Sequence, residues 1–179
     1  MKLSIVVPVY NENGNLVDLH AEITETLGRH YEDWEIIFVD DGSTDGSYDQ
    51  LAELSTRDRH VKVIRLRGNF GQSAALDAGL QAAKYDVIVT MDADGQNDPA
   101  DIPRLVDRLE EGYDCVSGWR KDRDDPSESE RRPGSPTCSG GSCSGRTCTT
   151  TAVRSRRCEH RRRRNSRSPG RCTGTSRRF

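Results

Sequence analysis

The last third of this sequence has almost nothing to bury. Between residues 127 and 179 there is no Leu, Ile, Met, Trp or Tyr, and apart from five cysteines the larger apolar side chains are Val153 and Phe179. Such a segment cannot offset the conformational entropy lost on ordering it. The expected foldable unit is therefore residues 1–126, a usual size for one compact α/β domain, followed by a disordered tail. No stretch approaches the ~18 apolar residues of a membrane-spanning helix. The opening MKLSIVVPVYNENG lacks a signal-peptide cleavage pattern and runs straight into polar residues, so a cytoplasmic location is expected. Cysteine is scarce in residues 1–126: Cys115 stands beside an apolar run, which leads one to expect a buried thiol in a reducing compartment.

The tail's own chemistry is thin. Its cysteines, Cys138, Cys143, Cys148, Cys158 and Cys172, form no C-x-x-C pair, have only His160 near them and are odd in number, which argues against both a zinc site and a closed disulfide framework. The net charge of −2 hides a division: residues 1–126 hold 13 basic and 26 acidic side chains, residues 127–179 hold 14 basic and 3 acidic ones. Runs such as Arg161–Arg164 would attract phosphates without specificity, and with no aromatic residue except Phe179 the tail cannot stack bases, so no specific nucleic-acid partner is expected.

What is present is a repeating pattern. Short apolar runs rich in β-branched residues occur at 3–9, 34–39, 61–66, 86–91 and 114–117, and read as strands covered on both faces. Between them, apolar residues recur at helical steps in 14–29 (Leu16, Leu19, Ile23, Leu27), 45–57 (Tyr48, Leu51, Leu54), 72–84 (Ala74, Ala75, Ala78, Leu80, Ala83) and 99–111 (Ile102, Leu105, Val106, Leu109). Pro99 suits the first turn of the last helix, with Asp98 as N-cap. Strand and helix alternate, which predicts a Rossmann-like, doubly wound, mainly parallel sheet with its chemistry at the carboxyl ends of the strands.

Three strand-end loops stand out: Pro8–Asn13, Asp40–Asp45 and Asp92–Gln96. Neither G-x-G-x-x-G after the first strand nor G-x-x-x-x-G-K occurs, so phosphate is not held by a glycine-rich loop of those kinds. The loops offer carboxylates, which repel a phosphate unless a cation lies between; Mg²⁺ or Mn²⁺ bridges carboxylates to a diphosphate. Asp92 and Asp94, two apart, are expected to point the same way, with the Gln96 oxygen at the next step of that alternation. Each loop alone also reads as an ordinary turn, Ser43 or Asp45 capping the next helix; their coincidence at the ends of parallel strands favours one shared ligand.

The stretches VVPVYNE at 6–12, VDDGSTDGS at 39–47, RGNFGQSAALDAGL at 67–80 and MDADGQNDP at 91–99, in this order and spacing, resemble family 2 glycosyltransferases with the A-type fold, above all the polyprenol-phosphate (dolichol-phosphate mannose synthase-like) branch. The resemblance covers residues 3–126. It implies that Pro8, Tyr10, Glu12 and Asp40 lie against the nucleotide, with Asp41 nearby, and that Asn69 and the small residues after it line the same site. It implies that Asp92, Asp94 and Gln96 hold the metal and the diphosphate, and that Arg120, with Arg123 assisting, meets the acceptor phosphate. The implied reaction is inverting transfer from a nucleotide-diphosphate-sugar to a polyprenyl phosphate at a membrane surface, with Asp94 and Arg120 as catalytic residues. An acceptor that is already ionised needs cations to hold it and no strong general base. Three alternatives remain: a family 2 transferase with a sugar or lipid acceptor, a phospho-receiver domain, and an Arg-tail nucleic-acid binder. The receiver is disfavoured because its acidic pair would follow the first strand.

After Pro126 the composition turns abruptly to Arg, Ser, Thr, Gly, Cys and Pro, as expected of GC-rich coding sequence read out of frame. Permitted codons for Arg146–Glu159, read from the third base, allow DLHDYGCSLKALR; the same shift allows GEMHRYIPA over Pro169–Arg178 and I-A-N near Gly134–Cys138. The first resembles the acceptor-side stretch of polyprenol-phosphate transferases, and the other two also resemble the family. A chain with this tail is expected to be impaired in transfer.

Overall fold

The computed structural model describes residues 1–118 and 150–154. Within them the chain runs β1 (Lys2–Val9), α1 (Leu16–His30), β2 (Asp33–Asp40), α2 (Ser47–Arg57), β3 (Val61–Arg65), α3 (Gln72–Ala82), β4 (Val87–Thr90), a 3-10 turn (Pro99–Asp101), α4 (Ile102–Glu110), β5 (Cys115–Ser117) and β6 (Thr151–Arg154). The sheet order is β3-β2-β1-β4-β6-β5. β1, β2, β3 and β4 pair in parallel, while β6 runs antiparallel to both β4 and β5.

In β1 and β2 the apolar runs are covered on both faces, as their continuity predicts: Leu3, Ile5, Val6 and Val7 in β1 and Ile36 through Val39 in β2 are all fully buried, whereas β3 and β5, at the sheet edges, are partly exposed. Odd-numbered residues of β1 pack with the apolar stripes of α1, α2 and α4. Val6, Ile37, Val39 and Ile88 form a second cluster, under α3. In α3 the buried positions are Ala75 and Gly79, whereas Leu80 is exposed; the small residues let this helix lie close on the sheet. Asp98 caps the turn before α4, its Oδ1 accepting the Ala100 N–H at 2.8 Å, with Pro99 in the first turn.

One expectation is corrected. Cys115 is exposed, because the three-residue β5 lies at the sheet edge. β6 comes from beyond residue 126, the expected end of the folded unit, and fills the position between β4 and β5, with Ala152 fully buried. The open edge of β4 needs partners for its N–H and C=O groups, and β-branched Thr151 and Val153 around a small Ala152 suit that slot. The remainder of 127–179, and with it the expectation of disorder, lies outside the described residues. Among the described residues no helix is long and apolar enough to cross a membrane.

At the end of the sheet away from the loops of interest, Glu35 is buried and ties three elements together. Its Oε1 accepts the Ser4 hydroxyl at 2.7 Å and the Lys84 N–H at 2.6 Å, and its Oε2 meets Lys62 Nζ at 2.6 Å. Burial pushes this carboxyl up, but the hydrogen bonds from Lys62, Lys84 and Ser4 outweigh it, so it titrates below the ordinary range. The folded state therefore favours the carboxylate. That stability is fully present above the unfolded carboxyl pKa of about 4.3 and is lost as pH falls through the lower folded value. Glu35→Gln is expected to flatten the acid limb of stability against pH below about pH 4.5 relative to the parent chain, measured by urea unfolding at stepped pH. An unchanged limb would show that Glu35 does not carry this linkage.

Candidate functional site

The register puts the three loops at one end of the sheet. Val9 is level with Asp40, which is level with Arg65, and Val6 is level with Thr90, so the residues after β4 climb beside the end of β1. β2 and β3 lie to one side of β1 and β4 lies to the other; this is the point where a doubly wound sheet opens a crevice. A cleft of ≈ 400 Å³ is found there, lined by residues of all three loops and of the start of α3.

Of the residues expected at the site, Pro8, Tyr10, Glu12, Asp41, Asn69, Asp92 and Asp94 line this cleft. Tyr10 is 47 % exposed, leaving a ring face available at the rim. Asp92 and Asp94 lie beyond the last residue of β4, yet alternation persists for a few residues: Met91 and Ala93 are buried in the core while the two aspartates border the cleft. Their oxygens are the hard donors that Mg²⁺ and Mn²⁺ prefer.

Three expected residues are not in that group. Gln96 is exposed and lines a neighbouring cavity with Asn97, Asp98, Arg104 and Arg108. Gly95, at φ +69°, turns the chain after Asp94, and the Gln96 N–H folds back onto Asp94 Oδ1 at 3.0 Å, so the strand alternation that would have aligned Gln96 ends there. Asp40 is fully buried and does not line the cleft. Its Oδ1 accepts the Ser43 N–H at 3.2 Å and its Oδ2 faces Arg65 Nε at 3.7 Å, Arg65 itself lying over the Tyr48 ring. Asp41, also buried, holds the cleft side of that pair of aspartates. Arg120 and Arg123 lie outside the described residues.

The loops are zipped to one another by residues that the sequence pattern marks only as turn formers. Ser43 Oγ accepts the Asn11 N–H at 3.0 Å, Ser47 Oγ accepts the Glu12 N–H at 3.0 Å, and Asn11 Oδ1 accepts the Thr44 N–H at 2.9 Å. Asp45 receives the Asn13 N–H at 3.1 Å and the Ser47 N–H at 3.0 Å, and hydrogen bonding from Ser47 first of all holds its carboxyl below the ordinary range. Asp41 spends both carboxylate oxygens on backbone, accepting the N–H groups of Phe70 and Gly71, each at 2.8 Å. Gly42 makes this possible: at φ +75° its would-be Cβ lies 2.6 Å from the Gly68 carbonyl carbon, so a side chain there would push the two loops apart. Gln72 is a further cleft residue without a signal of its own in the sequence.

The model of the family described as glycosyl transferase family 2 matches residues 4–174. The chain belongs to glycosyltransferase family 2. The sequence is 44% identical over 125 residues to an undecaprenyl-phosphate 4-deoxy-4-formamido-L-arabinose transferase of Proteus mirabilis, a match covering 69% of this chain and 38% of that relative. The chain thus spans well under half of that protein's length. Among solved structures, S. aureus TarS residues 1-349 align with TM-score 0.53 and 23% identity over 71% of this chain and 39% of that one. Glucosyl-3-phosphoglycerate synthase from Mycobacterium tuberculosis, solved with uridine diphosphate, aligns with TM-score 0.52 and 23% identity over 68% of this chain and 45% of that one. These two likenesses show the fold: a mainly parallel sheet flanked by helices.

Proposed function

We propose that the cleft over β1 and β4 is a nucleotide-diphosphate-sugar site, and that the protein to which this fold belongs passes the sugar to a polyprenyl phosphate with inversion. The observation that carries this reading is the convergence of Tyr10, Asp41, Asn69, Asp92 and Asp94, from four separate stretches of chain, on one crevice. The polyprenyl-phosphate acceptor is supported by the name of the Proteus mirabilis relative. The nucleoside would lie between the Tyr10 rim and Asn69, with Pro8 and Glu12 shaping the wall, and the diphosphate toward Asp92 and Asp94.

Mg²⁺ or Mn²⁺ fits this donor set. Among the described residues no group of three or more His, Cys, Asp or Glu side chains could hold a metal. Two carboxylates are what remain, a set these cations accept when the substrate's phosphate oxygens complete the shell. When bound, the cation would neutralise charge developing on the leaving diphosphate. Arg120 is proposed to hold the acceptor's phosphate, which would approach the face of the sugar opposite the diphosphate. Access from a membrane surface belongs to this same proposal.

Calorimetric titration of the chain with UDP, GDP and CDP, each with Mn²⁺ and with EDTA, tests the donor site. One diphosphate is expected to bind at least about tenfold more tightly with Mn²⁺. No binding by any of the three, or binding indifferent to the ion, would overturn the reading. Transfer of labelled sugar to polyprenyl phosphate is expected to be far below ordinary enzyme rates for this chain.

That last expectation follows from the second part of the proposal: residues 1–126 are the nucleotide-sugar-binding unit and residues 127–179 are the acceptor half read out of frame. The support is the composition change after Pro126 and the family-like text in the shifted frame. Against it stand the family match reaching residue 174 and the strand at Thr151–Arg154. Resequencing the gene near the codons for Asp125–Ser127 decides: a restored family sequence supports the shift, and stop codons throughout the shifted frame exclude it.

A further inference from the structure

The first residue of α3 connects two sides of the cleft. Gln72 Nε2 donates to Asp92 Oδ1 at 2.7 Å. The two residues before it, Phe70 and Gly71, are held through their N–H groups by the Asp41 carboxylate. In the sheet β1 lies between β2 and β4, so this chain of contacts spans the end of β1. It starts from the loop after β2, runs through the start of α3 and ends on the loop after β4.

We infer that Gln72 is a positioning residue that fixes the rotation of the Asp92 carboxylate for the cation. The inference rests on the reading of Asp92 and Asp94 as the cation's protein ligands. Asp92 sits past the end of β4, where sheet pairing no longer fixes the backbone, and the terminal torsion of an aspartate is broad and soft. A donor on one oxygen restricts that torsion before any ligand arrives, so less ordering is left for binding to accomplish. The donor is a neutral amide. A Lys or Arg here would orient the carboxylate equally well but would cancel the charge that the cation needs. Gln72 is anchored for this task because Asp41 has already set the backbone immediately before it.

The test is Mn²⁺ binding to the full chain, followed by electron paramagnetic resonance in the presence of UDP and, separately, of GDP, for the parent, Gln72→Met and Asp92→Asn. Methionine matches glutamine in length and helix propensity and lacks the donor, and position 72 is exposed, so the fold should be kept. Gln72→Met is expected to weaken Mn²⁺ binding about tenfold, with the nucleotide affinity in EDTA and the melting temperature unchanged. Mn²⁺ affinity unchanged in Gln72→Met but lost in Asp92→Asn would overturn the positioning role and leave the metal reading standing. Loss of nucleotide affinity in EDTA together with a lowered melting temperature would assign Gln72 a merely structural role and also overturn it. Failure of the parent chain to bind Mn²⁺ would remove the metal reading itself, and the inference with it.

Discussion

Replacing Asp94 by asparagine is expected to weaken Mn²⁺-supported binding of a nucleoside diphosphate about a hundredfold, a loss of about 2.7 kcal/mol, while binding in EDTA does not fall. The substitution keeps the size of the side chain. The amide oxygen it introduces can still accept the Gln96 N–H that now bonds Asp94 Oδ1 at 3.0 Å, so the turn at Gly95 should persist. The change is the loss of one negative charge at an exposed position bordering the cleft. A unit charge about 4 Å from another is worth about 4 kcal/mol at an effective dielectric constant near 20, and a divalent ion doubles the stake, so a hundredfold loss is a conservative expectation. Calorimetry with and without Mn²⁺ measures both limbs, and circular dichroism checks that the melting temperature holds. Undiminished Mn²⁺-dependent binding by the variant would remove Asp94 from the role assigned to it.

The second large effect is on stability, and its sign runs against the usual rule. Glycine within a helix ordinarily costs about 0.5–1 kcal/mol relative to alanine, so Gly→Ala should stabilise. At Gly79, in α3, the opposite is expected. A Cβ there would lie 2.3 Å from Val6 Cγ1 and 3.2 Å from Val39 Cγ2. Both valines are fully buried, and a valine has little rotamer freedom with which to move aside. The helix itself must lift from the sheet, opening its contact with Val6, Ile37, Val39 and Ile88. Overpacking of this kind costs about 1–3 kcal/mol, which exceeds the propensity gain. Urea unfolding of Gly79→Ala should show a lower midpoint, and weaker nucleotide binding is expected as well, because the start of α3 carries Gly71 and Gln72 into the cleft. A more stable variant would show that α3 does not sit this close to β1.

The fold was legible in the sequence because burial on two faces leaves a direct trace. Runs such as LSIVVPV and WEIIFV have no polar face to show, and the helical stripes Leu16–Leu19–Ile23–Leu27 and Ile102–Val106–Leu109 repeat at helical steps. Alternation of the two element types then implies parallel pairing, and parallel pairing implies that the loops after the strands share one end of the sheet. The crevice and most of its lining, from Pro8 to Asp94, follow from that logic joined to residue chemistry. The membership of family 2 likewise rests on motifs readable one after another along the chain.

Only the tertiary structure decided which member of each motif faces the cleft. Asp40 and Asp41 are adjacent and chemically identical, and a strand end sends neighbours to opposite sides; Asp40 went into the interior beside Arg65, and Asp41 to the cleft wall. Gln96 left the line of Asp92 and Asp94 because a glycine at positive φ ended the alternation. Gly79 carries no apolar signal, yet it sets the distance of α3 from the sheet through contacts with residues 73 and 40 positions away. Gln72 and Asp92 are 20 positions apart, and β6 enters beside β4 from beyond residue 150. Periodicity reports which side of its own element a residue occupies. It carries no term for the neighbour that another stretch of chain will bring, and hydrogen bonds, close approaches and the filling of a strand edge are made of such neighbours.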